Sequence, residues 1–546
     1  MRQPNLTIQI ENPTAIKDAH QAEAPRVNGL AIVSFLAVVK FVLHLATTGR
    51  FGYGFFVDEL YFLACAEHLD WGYVDMPPLL PTLIAVVRAV LGDSLLAVRL
   101  FPAIAGSGLV LLTGLIAREL GGGRFAQALA ALTVVIAPIY LGLHSVQTMN
   151  AYEPLFWMGC AYVMIRIVKG GNPKLWLVFG LLAGLGMMNK HSMAFFGFGI
   201  LAGLLLTNQR KLLFNRVPPR FHNFSKRSGT GWFWLGGLIA FIIFLPNLLW
   251  MIEHDFPHLQ LLANIRAAGR NVELSPLEFI LQQVLMMHPL AFPVWLAGLL
   301  HFFLNNDARP YRVLGIAYLT ILFMMLVLEG RVYYLAPAYP MLLAGGGVAI
   351  EKWIANRGWA VVKPAYVTVL VLGGLILAPI ALPCLPPEDF IRYAEATGLQ
   401  QPRVETHRLG RLPQLHADRF GWEEMAKVVA QAYQKLPPEE RAKTAIFGQN
   451  YGQAGAIDLF GPQLGLPKAL SGHLTYHYWG PREYKGEIVI VMGDRREVLE
   501  SKFDSVELVG VVEHPYSMPY QQFDVYRCRG LRQPLHELWP QLRQWD

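Results

Sequence analysis

The stretch GYGFFVDELYFLACAEHLDWGYVDMPPLLP, residues 52–81, lies between two strongly apolar runs and yet carries Asp58, Glu59, Glu67, Asp70 and Asp75. A charge at the centre of a bilayer costs on the order of 2.5–3.5 kcal/mol even on lenient insertion scales, so five carboxylates in 30 residues exclude a crossing. The stretch reads instead as a boundary segment, whose acids either do chemistry or merely solvate the lip of a membrane protein. In "DELYFLACAEHL" Leu60, Leu63 and Ala64 share one helical side, which predicts a short amphipathic helix in the interface. Pro77 and Pro78 stop that element, and "LLPTLIAVVRAVLG" starts a second.

The rest of the chain agrees with a membrane setting. Of 546 residues 54% are hydrophobic and 16% charged, and the mean hydropathy is +0.35, which excludes an ordinary soluble protein. Apolar runs of about 20 residues, enough to cross about 30 Å of hydrocarbon, recur up to residue 382. They predict eleven spans: 29–48, 95–117, 125–143, 149–168, 174–189, 191–208, 231–250, 284–304, 312–328, 332–349 and 360–382. The first 28 residues are polar and lack a secretory signal, so the first run reads as an uncleaved anchor. The expected organisation is a tail (1–28), a membrane domain (29–384) with long loops 49–94 and 251–283, and a water-soluble domain (385–546).

The net charge of +7 does not point to nucleic acid, because the basic residues sit in the loops between spans. Every second loop is rich in Lys and Arg, which places the N-terminus in the cytoplasm and the loops 49–94 and 251–283, with the C-terminal domain, outside. This threading brings Asp58, Glu59, Asp75, Glu153, Lys190, Arg270 and Arg331 to one membrane face. In the C-terminal domain "GWEEMAKVVAQAYQKLP" has helical periodicity. "TAIFGQ", "EIVIVMG", "VELVGVVEH" and "QQFDVYRCR" read as strands, giving an α/β fold. "GQNYGQAGAIDLFG" is glycine-rich but lacks both the dinucleotide fingerprint and the P-loop lysine. Cys65, Cys160, Cys384 and Cys528 are too scattered for a metal site or a disulfide framework. His254 and His258 are four apart, but Pro257 between them opposes a regular two-ligand helix.

"VDELYFLACAEHLDWGYVDMPPLLP" followed by "AVRLFPAIAG" resembles the first outer loop and second span of the GT-C glycosyltransferases. The similarity is to bacterial members of family 39, relatives of protein O-mannosyltransferases and lipid A aminoarabinose transferases. "MNAYEPLFWMGCAYV", "GLLAGLGMMNKHSMAFF", "PNLLWMIEHDFPHLQLL" and "GRVYYLAPAYPMLLAGGG" follow in the family's order. The resemblance implies transfer of a sugar from a polyprenyl-phosphate carrier to a lipid, glycan or protein acceptor at the outer face of a bacterial inner membrane. It implies Asp58 as catalytic base with Glu59 in support. Asp75, Glu153, Lys190, Arg270, Arg331 and Tyr333 form the candidate substrate-binding set, with Lys190 and Arg331 at the phosphate. Relatives acting on lipid A carry "EKPPL" where this chain has "VDMPPL"; Met76 replaces the lysine, which counts against aminoarabinose transfer. Arg99 reads as structural, closing against the acidic loop. Some GT-C enzymes use a divalent ion and others none, so a metal stays open. The competing classes are a secondary transporter or lipid flippase, for which inverted repeats and broken midplane helices are the expected signs, and a non-catalytic scaffold.

Overall fold

The computed structural model describes residues 28–214, 229–401, 403 and 405–545. The N-terminal tail, and the basic residues Arg216, Arg220, Lys226 and Arg227 used for orientation, lie outside these. The described residues are 67% helical. Among the described residues five helices are long and apolar enough to cross a membrane: Leu30–Thr47, Leu95–Glu119, Thr230–Glu253, Arg309–Val327 and Val362–Ala381. A sixth candidate is the pair Pro276–Met286 and Pro289–Leu304, bent by 96° at the break.

Length and composition therefore support five or six crossings, short of the eleven expected. The difference has a backbone cause. Run 125–143 breaks at Ala137–Pro138, and run 332–349 begins as a 3-10 turn over Val332–Ala338. Leu175–Asn189 and Met193–Leu205 have 15 and 13 residues, about 20 Å of helix each.

Four helices frame the acidic stretch: α1 (Leu30–Thr47), α2 (Val57–Glu67), α3 (Leu79–Leu91) and α4 (Leu95–Glu119). α2 starts where it does because the Glu59 carboxylate turns back to accept the Phe56 N–H at 2.8 Å. Its two first-turn acids also suit the positive end of the helix dipole. The expectation of an amphipathic interfacial helix fails here. Every residue of α2 from Glu59 to Ala66 is buried, so no face is left for lipid or water.

What covers α2 is the C-terminal domain. Its sheet runs β1 (Thr444–Gly448), β2 (Ile488–Met492), β4 (Phe523–Leu531), β3 (Phe503–Val512), with β1 parallel to β2 and the other neighbours antiparallel. The four strands are those the sequence predicts. Alternate residues face opposite sides: Ala445, Val489, Val491 and Cys528 pack on Leu535 and Trp539. Ile446, Ile490, Met492 and Val525 instead share one apolar cluster with Val57, Leu60 and Leu63 of α2.

The helix Tyr451–Phe460 is the layer between. A Cβ on Gly455 would lie 2.7 Å from the Leu60 carbonyl, and one on Gly452 2.5 Å from Val57. The glycines of "NYGQAGAIDLFG" thus serve close helix packing onto α2. One face of the sheet therefore closes on a core within the C-terminal segment, while the other shares its core with α2.

Candidate functional site

Each of the five acids in the opening stretch meets a different fate. Glu67 pairs with Arg88 at 3.0 Å and Lys468 at 2.6 Å. Asp70 accepts from the Trp250 indole at 2.9 Å, tying the stretch to the helix ending at Glu253. Both contacts are structural.

Glu59 is fully buried and saturated. Beside the cap to Phe56 it accepts from Arg99 Nε at 2.9 Å, Arg99 Nη2 at 2.7 Å and the Gln147 N–H at 2.7 Å. Arg99, 1% exposed, also donates to the Gly54 carbonyl at 2.8 Å. The arginine thus closes against the acidic loop through this glutamate. With both oxygens committed, Glu59 has none left for an acceptor substrate.

Asp58 and Asp75 remain, and each is held by a tyrosine. Tyr451 donates to Asp58 Oδ1 at 2.8 Å, and Tyr61 donates to Asp75 Oδ1 at 2.8 Å. The second bond has a fixed direction. Tyr61 has one hydroxyl proton and gives it to Asp75, so its oxygen accepts from the Thr475 hydroxyl at 2.6 Å, whose own oxygen accepts the Val74 N–H at 3.1 Å. The two tyrosine rings lie 5.0 Å apart between centroids. Burial pushes the Asp58 carboxyl up to about 6 and Asp75 up to about 7. At Asp58 the neighbouring acids Glu405 and Glu59 add to that rise, while Tyr451 and Arg331 oppose it. A carboxylate that changes state near neutrality is suited to exchange a proton.

The cations gather at the same place through contacts between residues far apart in sequence. Lys190 pairs with Glu153 at 2.9 Å, donates to Asn150 at 2.7 Å and stands 4.2 Å above the Tyr334 ring. Tyr333 next to it approaches Arg331 at 3.5 Å, and Arg331 lies within electrostatic reach of Asp58. Arg331 is itself paired, with Glu405 at 2.8 Å and Asn271 at 3.0 Å. Arg270 contacts His407 at 3.2 Å, and Thr406 donates its N–H to the Arg270 carbonyl at 3.0 Å. Residues 405–407 therefore cross 270–271 as a short strap.

Sequence reasoning did not single out Tyr451, Glu405, Tyr61 or Thr475. Tyr451 lies in "NYGQAGAIDLFG" and Thr475 in "GLPKALSGHLTYHYWGP", motifs that resemble the outer domain of a bacterial subgroup without marking either residue, and no spacing rule links position 451 to 58.

Among the described residues no group of three or more His, Cys, Asp or Glu is arranged to hold a metal ion. His254 stacks on Trp250 and bonds the Trp250 carbonyl at 2.9 Å, whereas His258 faces His191. The left-handed Phe256 and the helix start at Pro257 turn the two imidazoles to different neighbours. A cleft of about 270 Å³ lined by Glu253, His254, Asp255, His477 and Arg543 includes none of the candidate catalytic or substrate-binding residues.

The sequence profile of the dolichyl-phosphate-mannose-protein mannosyltransferase family matches residues 75–250. Curated proteins give no match. Among solved structures, ArnT from Cupriavidus metallidurans bound to undecaprenyl phosphate superposes with a TM-score of 0.56 at 15% identity, covering 91% of this chain and 97% of that one. The apo state of the same protein gives 0.57 at the same identity and coverage. The Archaeoglobus fulgidus oligosaccharyltransferase gives 0.48 at 13% identity over 81% and 64% of the two chains. The chain has the GT-C fold and is an integral membrane protein.

Proposed function

We propose that this GT-C-fold membrane protein transfers a sugar from a polyprenyl-phosphate carrier to an acceptor hydroxyl or phosphate at the outer face of the membrane, with inversion. The observation that carries the reading is the meeting of Asp58, a carboxyl poised near neutrality, with Arg331 in one buried region. The fold it shares with an undecaprenyl-phosphate-bound protein supports the choice of carrier.

For a hydroxyl acceptor the reaction proceeds in one displacement. The acceptor oxygen attacks the anomeric carbon as the bond from that carbon to the phosphate oxygen breaks. The acceptor proton passes to Asp58, and the carrier leaves as polyprenyl phosphate. No second carboxyl is needed to protonate the leaving group, in contrast to a glycosidase. Charge developing on the phosphate is met by Lys190 and Arg331, with Arg270, Tyr333 and Glu153 shaping their surroundings. Asp75, ordered by Tyr61, faces the sugar or the acceptor. Since Arg331 is already bound to Glu405, the donor phosphate replaces that carboxylate on entry. Met76 stands where lipid A-modifying relatives have lysine, which argues for a sugar other than aminoarabinose.

The test is purified protein in nanodiscs supplied with polyprenyl-phosphate sugars and envelope lipids, with release of polyprenyl phosphate and acceptor mass as readouts. Transfer by the wild type and its loss in Asp58→Asn support the reading. Full transfer by Asp58→Asn removes Asp58 as the base, and failure of every donor to react removes the enzyme assignment.

A further inference from the structure

Resting on the assignment of Asp58 as general base, we propose that Tyr451 is a positioning residue. Its phenol fixes one oxygen of Asp58 and leaves the other facing the acceptor, so the C-terminal domain completes the catalytic site. The two residues are 393 positions apart and meet at 2.8 Å. Asp58 Oδ1 takes the tyrosine proton, and among the described residues Oδ2 has no hydrogen-bond partner. The aspartate side chain is only part-buried, which leaves that second oxygen approachable.

Tyr451 is itself held from several sides. It is the first residue of the helix Tyr451–Phe460, whose start is set by Asn450 Oδ1 accepting from the Gln453 N–H at 2.9 Å. Its own N–H meets His473 Nδ1 at 3.3 Å, and its ring packs 5.0 Å from both His473 and Tyr61. Gly452 and Gly455 then lock that helix onto α2, the element that carries Asp58. Donor and acceptor are therefore fixed by two backbones in direct contact, the arrangement a preorganised base requires. A phenol that merely filled space would not need this alignment.

The electrostatic surroundings of Asp58 set the sign of the effect. Glu59 and Glu405 disfavour its ionised form, Arg331 favours it, and Asp75, Asp418 and Tyr520 also lie within reach. Tyr451 favours the carboxylate by donating to it. Tyr451→Phe removes that donor and keeps the ring, so the acid limb of the pH–kcat profile moves upward, by about one unit for a hydrogen bond to a charged group. KM for the donor lipid stays within a factor of about two, because the phenol lies at the base rather than at the phosphate.

The experiment pairs that profile with an infrared titration of the Asp58 carboxyl band, assigned by its disappearance in Asp58→Asn. In Tyr451→Phe both the band and the acid limb are expected to titrate at higher pH. An unmoved band in a folded Tyr451→Phe protein overturns the proposal. A band that moves while the acid limb does not upholds the positioning contact and instead removes Asp58 as the base. Because the band is read without turnover, the two failures are distinguishable.

Discussion

Substituting Glu59 by Gln separates a structural glutamate from a catalytic one. The side chain is fully buried and receives four hydrogen bonds, two from Arg99, one from Phe56 and one from Gln147, all between 2.7 and 2.9 Å. Glutamine keeps the shape but turns an N–H toward donors on at least one side, and it leaves the Arg99 guanidinium without its carboxylate at 1% exposure. Removing one member of a buried pair costs about 3–5 kcal/mol, most of it the stranded charge. In a chain of this size that is a fall in unfolding temperature on the order of 5 °C at a fixed scan rate. The double variant Glu59→Gln with Arg99→Met removes the stranded charge and recovers part of the loss. Thermal unfolding of purified protein in one detergent reads both, with transfer measured well below the transition. Wild-type stability in Glu59→Gln together with abolished transfer refutes the structural assignment. A double variant no more stable than the single one refutes the electrostatic argument.

Three other outcomes follow from the same geometry. Transfer falls as pH drops through 7 and 6, since Asp75 and Asp58 are protonated there; a kcat flat from pH 5 to 8 counts against both as ionised participants. Glu405→Gln frees Arg331 from its 2.8 Å partner, so KM for the polyprenyl-phosphate donor drops several-fold, whereas an unchanged or raised KM shows that Glu405 does not compete with phosphate. Gly455→Ala forces a methyl into the Leu60 backbone at 2.7 Å, lowering stability by about 1–3 kcal/mol and slowing transfer; a variant with wild-type melting shows that the α2 interface has slack.

The membrane character, the apolar runs, the four strands and the acidic stretch as a place apart were legible in the sequence alone, because each depends on local composition and period. Hydropathy over 20 residues and alternation over five are properties of neighbours along the chain. The same local signals give eleven runs, of which five or six coincide with a helix, or a bent pair, long and apolar enough to cross among the described residues. A hydropathy run does not register the break at Ala137–Pro138 or the 96° bend between Pro276–Met286 and Pro289–Leu304, since those depend on how the backbone packs.

Only the tertiary structure decided which acid does what. Asp58 and Glu59 are adjacent and alike in sequence, yet a helical step of about 100° turns one toward Arg99 of α4 and the other toward Tyr451 of the C-terminal domain. The burial of α2 was equally hidden, because its cover arrives from nearly 400 residues away. Proton affinity and free valence are set by what surrounds a carboxyl in space, and those surroundings come from chain segments whose meeting no local pattern encodes.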